Sequence, residues 1–544
     1  MSVPPFCGAI SPSCSGVVRA NVIYIRAILL SQRRIHSLVR QPRGTRQCRK
    51  QRFANPKTGL YFFGPPEEQS RPRHIKIGVV GTRDGIKLYG DWAKTINTFI
   101  NPLIHSSANH VAFPGFNAVF GVTLGERPEL EVEVSSSKLA AAIRTGRRHE
   151  AIKNAVSIYE DAIRKTLDED ATVDVWFVVI PDEIYRYGRP KSVVPKDEVE
   201  RSRLAISRRR VTEILSGAPS LFPDENEAAE TFLFEPNFHH QLKARMLDAD
   251  GGVLQIIRES TLSGLMSRDL DNPHRRRMQD AASIAWNLST TLFFKGGGHP
   301  WRLASVRPRV CYIGLVFKLF PDSRDSGRKA CCGAQMFLDN GEGLVFRTLP
   351  GEWYDPVTKQ FHLTEDVAES LIARIIAAYK ERDDQNLPPT ELFIHGKTRF
   401  NAAEYRGFCK GAPGVKVSTV RISEIGDMRL YAPRETPVIR GTWLRVDERR
   451  GYLWTRGLIA ELGTYPGREV PRPLSVEVLN GTADLSVVME DVLMLTKLNF
   501  NACIFGDGSP VTLRFADAVG EIITAVPERL SAQANIPLPF KRYI

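Results

Sequence analysis

Residues 173–181 read VDVWFVVIP, a nearly unbroken apolar run of strand length closed by proline. With no polar alternation, such a run predicts a strand covered on both faces. Two more runs of this kind stand at HIKIGVVGT (74–82) and GGVLQIIRE (251–259). Between the first and the central run, SKLAAAIRTGRRHEAIKNAVSIYEDAIRKTL (137–167) carries apolar residues at helical spacing. RRRMQDAASIAWNLSTTLFFKGGG (275–298) reads as a further helix, stopped by its glycines. Strands separated by helices predict an α/β unit with a parallel, doubly wound, Rossmann-like sheet. VVGTRDG (79–85) lacks GxGxxG, so a dinucleotide site is not expected.

A seam follows at HPWRLASVRP (299–308), and the second half has a different grammar. It opens with the strand VCYIGLVFKLF (310–320), then CCGAQMFLDNGEGLVFRT (331–348), read as a hairpin turning at Asn340-Gly341. A helix at 364–382 starts from a threonine cap. The strand ELFIHGK (391–397) and the helix NAAEYRGFCKG (401–411) come next. Strands, helix, then strand on a mixed sheet is the order of the ribonuclease H-like fold. The predicted division is therefore a leader at 1–53, a parallel-sheet domain at 54–305 and a mixed-sheet domain at 306–544.

The chain has 544 residues, 42% of them hydrophobic and 25% charged, the balance of a soluble globular protein. It has no run of eighteen apolar residues, so no membrane partner is expected and a cytoplasmic location is. Eight cysteines form no CxxC pair, which predicts reduced thiols and neither a zinc site nor a disulfide framework. The net charge is +13, but residues 1–66 hold eleven Lys/Arg and no acid, which leaves only +2 for the rest. Any nucleic-acid contact in the folded body must therefore come from local grooves. The acid-poor leader resembles a targeting peptide; a disordered basic arm or a start codon assigned too early fits it better.

FHHQLKARMLDADGGVLQIIREST (238–261) sets His239 and Lys243 one helical turn apart, with Gln255 on the following strand run. Lys295 closes the next helix at FFKGGGHPW, where glycines let the backbone approach closely. A terminal phosphate carries nearly two negative charges and needs several converging donors of these types. The exposed N–H groups of the short helix would add to the pull. Each feature alone is ordinary: a His/Lys pair commonly lines a solvated helix face.

Taken in this order, the four residues resemble the guide-anchoring pocket in the MID domain of Argonaute proteins. The family pattern is an aromatic residue or histidine, lysine four later, glutamine twelve after that, then lysine in a glycine-rich stretch. The family's additional lysine falls on Thr291 here, a departure that lowers the pocket's charge. KTGLYFFGP (57–65) and FPGFNAVFG (113–121) are similar to signatures of the short prokaryotic members, which have MID and PIWI domains and no PAZ. In that family the C-terminal carboxylate lies near the pocket with a divalent metal, which assigns Ile544 and Mg2+ as further expected elements.

The resemblance also bears on catalysis. An active PIWI domain holds two metal ions with carboxylates. The first aspartate position falls on Val316 in IGLV, the second on Lys397 in IHGK, and the last is kept as Asp517 in FAD. Glu342 is the one candidate for the remaining glutamate. The expectation is no catalytic metal pair and no enzyme activity in this chain; the alternative is an active guide-directed endonuclease. LTKLNFN (495–501) and PVTLRFAD (510–517) match the PIWI pattern and nominate Lys497, Asn499 and Arg514 as contacts to a nucleic-acid backbone. The resemblance implies a guide RNA, a complementary single-stranded target DNA, and a partner with an APAZ region fused to an effector. That effector is of TIR, sirtuin-like or nuclease type, in a prokaryotic defence system.

Overall fold

A computed structural model of the chain describes residues 28–29, 35–38, 50–66, 72–102, 111–169, 172–199, 206–247, 252–266, 280–303, 307–320, 330–338, 342–348, 351, 353–355, 357–431, 437–463, 465, 469–527 and 536–544. The first half runs α1 (Pro56–Phe63), β1 (Ile77–Gly81), α2 (Arg83–Ile96), β2 (Leu130–Glu133), α3 (Ser136–Arg144) and α4 (Arg148–Leu167). It continues with β3 (Val175–Ile180), α5 (Asp182–Tyr187), α6 (Phe238–Arg245), β4 (Val253–Arg258) and α7 (Ala281–Lys295). Its four strands pair all-parallel in the order β2-β1-β3-β4.

VDVWFVVIP accounts for this layering. All six residues of β3 are buried, and they alternate between two cores. Trp176, Val178 and Ile180 pack with Ile152, Val156 and Tyr159 of α4, while Val175, Phe177 and Val179 face the opposite side. There the Phe177 ring lies 5.1 Å from Tyr89 and 5.3 Å from Trp92, both on α2. Residues 137–167 form two helices and not one, because Thr145 leaves the helix with extended backbone before Gly146.

The second half runs β5 (Val310–Leu319), β6 (Ala330–Phe337), β7 (Gly343–Arg347), α8 (Glu365–Lys380), β8 (Glu391–Gly396), α9 (Ala402–Gly411) and β9 (Lys416–Glu424). Then come β10 (Thr442–Arg445), β11 (Arg450–Leu453), β12 (Leu474–Asn480), α10 (Leu485–Leu495), α11 (Ala516–Ile523) and β13 (Leu538–Pro539). The sheet is mixed: β8 runs parallel to β5 and β9, and the other pairs are antiparallel. β6 and β7 form the expected hairpin, whose Asn340-Gly341 turn lies outside the described residues. Thr364 stands at the N-cap of α8 without a side-chain cap bond, whereas Asn401 and Glu404 close a full capping box on α9. β13 pairs with β7 and so carries the last residues back toward the first half.

Of the segment read as a leader, 1–53, the described residues form three strands, and the rest lie outside the described residues. Ile28–Leu29 pairs with Thr442–Trp443, and Ile35–Leu38 lies between Lys50–Phe53 and Arg302–Leu303. Open sheet edges present unpaired N–H and C=O groups, which an extended apolar segment satisfies. Among the described residues no helix is long and apolar enough to cross a membrane.

Candidate phosphate-binding site

Helix α6 is fixed at its start by Asn237, whose Oδ1 accepts the N–H groups of His239 (3.1 Å) and His240 (3.4 Å). The helix N-terminus is therefore capped internally, and the anion pull expected from its free N–H groups is corrected to that of the side chains. Phe238 and Leu242 anchor one stripe in the core, which leaves His239 and Lys243 on another. His240, next to His239, ties the two halves together. Its Nδ1 meets Glu235 at 3.0 Å and its Nε2 lies 3.6 Å from Glu521 on α11.

Lys295 is the last residue of α7 and is 2% exposed. Gly297 takes a φ of 92°, which glycine adopts without strain, and a Cβ at Gly296 would lie 2.8 Å from Ile75. The chain thus turns sharply enough to leave the lysine pointing inward. Its ammonium donates to the Leu254 carbonyl and to Gln255 Oε1, each at 2.9 Å. Gln255 stands mid-strand on β4, and its NH2 makes only a 3.4 Å contact with the Ile256 carbonyl.

Lys243 is 4% exposed, and its ammonium donates to the Tyr543 carbonyl at 3.2 Å. The chain terminus thus closes the site: Tyr543 and Ile544 are buried, and Lys541 Nζ donates to the Lys295 carbonyl at 3.1 Å. The Thr291 hydroxyl, at the position of the missing lysine, bonds back to the Asn287 carbonyl (2.9 Å) and brings no charge. Sequence reasoning missed Lys541 and Tyr543; the apolar tail PLPFKRYI was their only signal.

The electrostatics follow from this packing. Burial pulls the Lys243 ammonium down to about 7. Burial, and then the charge of Lys243, holds Lys295 well below the ordinary lysine value. His239 is exposed on one side, and desolvation of its ring, followed by the charges of Lys243, His240 and Lys295, holds its imidazole well below its usual value. All the acceptors facing the two ammonium groups are neutral. The four residues nominated by the family resemblance are therefore brought together, and the hydrogen bonds of the two ammonium groups carry no countercharge. The expected Mg2+ would meet the cations Lys243 and Lys295, and no group of three His, Cys, Asp or Glu side chains able to hold a metal exists among the described residues. This donor set does not fit a divalent ion held by the chain alone.

Val316, Lys397 and Asp517 lie near one another where α11 meets the mixed sheet. Val316 on β5 stands level with Gly333 of β6 and packs toward Gly520 of α11. Lys397 Nζ meets Asp517 Oδ2 at 2.7 Å in a solvent-exposed ion pair. Beneath them His395 is buried, held neutral by a pKa pushed to about 3, with Nδ1 2.9 Å from Thr512 Oγ1. Glu342 does not join this face. It pairs with His299 at 3.1 Å and lines a cavity of about 270 Å3 together with Lys541.

Of the nominated backbone contacts, Lys497 and Asn499 are buried and Arg514 is exposed. Lys497 is 3% exposed, its ammonium 4.7 Å from the Phe505 ring and 3.5 Å from the Ala54 carbonyl. Asn499 is buried and donates to Asp507 (3.0 Å), which also accepts from Arg514 (2.7 Å). Apolar neighbours at Leu498 and Phe500 draw this segment into the core, so only Arg514 reaches solvent.

No protein-family model matches the chain, and no curated protein matches it in sequence. Solved structures do match. The Clostridium butyricum Argonaute, bound to a guide DNA with a 5' deoxycytidine and to a 19-mer target DNA, aligns with a TM-score of 0.55 at 14% identity. That alignment covers 91% of this chain and 53% of the other. Aa-Ago with externally bound siRNA aligns at 0.50 and 12% identity, over 95% of this chain and 56% of its own. The fold is that of Argonaute proteins, with a parallel sheet beside a large mixed one, and the chain spans about half the length of these structures.

Proposed function

We propose that the chain is the guide-binding subunit of a short prokaryotic Argonaute system, with residues 54–305 as the MID domain and 306–544 as a PIWI domain that does not cut. The observation that carries this reading is the pair of buried ammonium groups, Lys243 and Lys295, facing neutral acceptors beside His239 and Gln255. A 5' phosphate supplies the missing anion and relieves their mutual repulsion. The guide, an RNA, then pairs with complementary single-stranded DNA, so the protein supplies anchoring while base pairing supplies sequence. The guide and target DNA bound to the Clostridium butyricum protein support this reading. Acting in the cytoplasm, the complex switches on an APAZ-containing partner whose TIR, sirtuin-like or nuclease domain performs the chemistry. Sequencing the short nucleic acid that copurifies with the coexpressed pair tests it: 5'-phosphorylated species of uniform length are expected, and their absence refutes the reading.

The absence of cutting rests on Lys397 and Val316. Two divalent ions need several fixed anionic ligands, and here an ammonium 2.7 Å from Asp517 stands in their place. With guide, matched target and either Mg2+ or Mn2+, no guide-dependent product is expected, and Asp517→Ala leaves binding unchanged. A cleavage product lost in Asp517→Ala would overturn the assignment.

A further inference from the structure

The cavity of about 270 Å3 beside the end of α7 is close to the lower size of small-molecule sites. None of His239, Lys243, Gln255 and Lys295 lines it. Three parts of the chain far apart in sequence build it: the turn Gly297–His299, the β6–β7 hairpin and the tail from Pro539 to Lys541. Their approach depends on Gly343, where a Cβ would come 2.8 Å from Phe540 Cβ. Any side chain there would hold the tail off the hairpin.

The walls and the mouth differ in chemistry. Phe294 of α7, Leu344 of β7 and Phe540 of the tail are apolar and buried. Arg382, just past α8, is exposed and uses its Nη1 on the Ala378 carbonyl at 3.0 Å. Lys541 donates to the Lys295 carbonyl at 3.1 Å, which uses one of the three donors of an ammonium. Burial lowers its pKa, and the charges of Asp174 and Glu342 offset that only in part. Glu342, the carboxylate among the described lining residues, is paired with His299 at 3.1 Å. Two cations thus stand beside an apolar wall, against one carboxylate that already has a partner.

We infer that this cavity binds a small organic acid, its carboxylate on Arg382 and Lys541 and its apolar body against Phe294, Leu344 and Phe540. Burial of the apolar body drives binding, and charge-assisted bonds at the mouth fix its orientation. A monoanion suits that mouth better than a phosphate dianion, because Glu342 repels a second negative charge at the same rim. A neutral or cationic analogue of the same body forgoes the bonds to both cations. The site does not rest on the guide reading, since it shares none of the four nominated residues.

Ligand-observed NMR with the full chain tests it, using phenylacetate, 2-phenylethanol and 2-phenylethylamine, probes of similar size and different charge. Saturation transfer to phenylacetate is expected, with the alcohol and the amine bound at least roughly tenfold more weakly, as for one lost charge-assisted bond. Arg382→Gln, at an exposed position, should bring phenylacetate close to the level of the alcohol. Leu338→Trp, which fills the cavity from a half-buried position in its lining, should abolish the signal. An added 5'-phosphorylated dinucleotide should leave the phenylacetate signal in place, and its own saturation transfer reports on the guide reading separately. Equal binding of the three probes, or full phenylacetate binding in Arg382→Gln, would overturn the inference. So would displacement by the dinucleotide, which would put the acid in the phosphate pocket instead.

Discussion

Replacing Lys243 or Lys295 by methionine is expected to weaken binding of a 5'-phosphorylated guide by about 1.5–3 kcal/mol each, roughly ten- to a hundred-and-fifty-fold, as for charge-assisted hydrogen bonds. A 5'-hydroxyl guide should lose little. Methionine keeps the volume of the buried stem, so the loss reports charge and not a cavity. The two lysines are coupled, because the charge of Lys243 lowers the pKa of Lys295. Removing Lys243 lets Lys295 hold its proton more fully, which partly compensates a single substitution. The double variant should therefore lose more than the sum of the singles. Equal losses for both guide ends in titrations of the single variants would mean that the phosphate lies elsewhere.

Apolar run length made the parallel sheet legible in the sequence, while the four residues of the site were brought together by a family resemblance and not by spacing alone. VDVWFVVIP could be read because a strand buried on both faces has no polar interruption, and β3 shows that burial at every position. His239 and Lys243 could be read because helical periodicity alone places them on one stripe. Spacing carries no information about what a side chain meets across the fold. Lys497 and Asn499 have the composition of phosphate contacts, but neighbouring apolar residues draw them inward to brace Phe505 and Asp507. The terminal residues were legible as an apolar tail, but a contact between residues 300 apart, Lys243 to Tyr543, needs the return path through β13.

The same buried charges predict an unusual pH profile. Lys243 has a folded-state pKa of about 7 against an ordinary value of 10.5, so between those limits the unfolded chain binds more protons. Stability without ligand should accordingly rise with pH from about 7 toward 10, by on the order of 4 kcal/mol at about 1.4 kcal/mol per pKa unit. Binding inverts this. A phosphate dianion favours the charged ammonium, so guide binding should take up protons near pH 7 and its affinity should fall as pH rises above that point. Below about pH 6 the phosphate itself gains a proton, which places the affinity optimum between roughly 6 and 7. Chemical denaturation at pH 7 and 9 checks the first expectation, and Lys243→Met should flatten the difference. Calorimetry in buffers of differing ionisation enthalpy checks the second. A titration heat independent of buffer at pH 7 would show that Lys243 keeps its protonation state when the phosphate arrives, and the charge-deficient pocket would lose its physical basis.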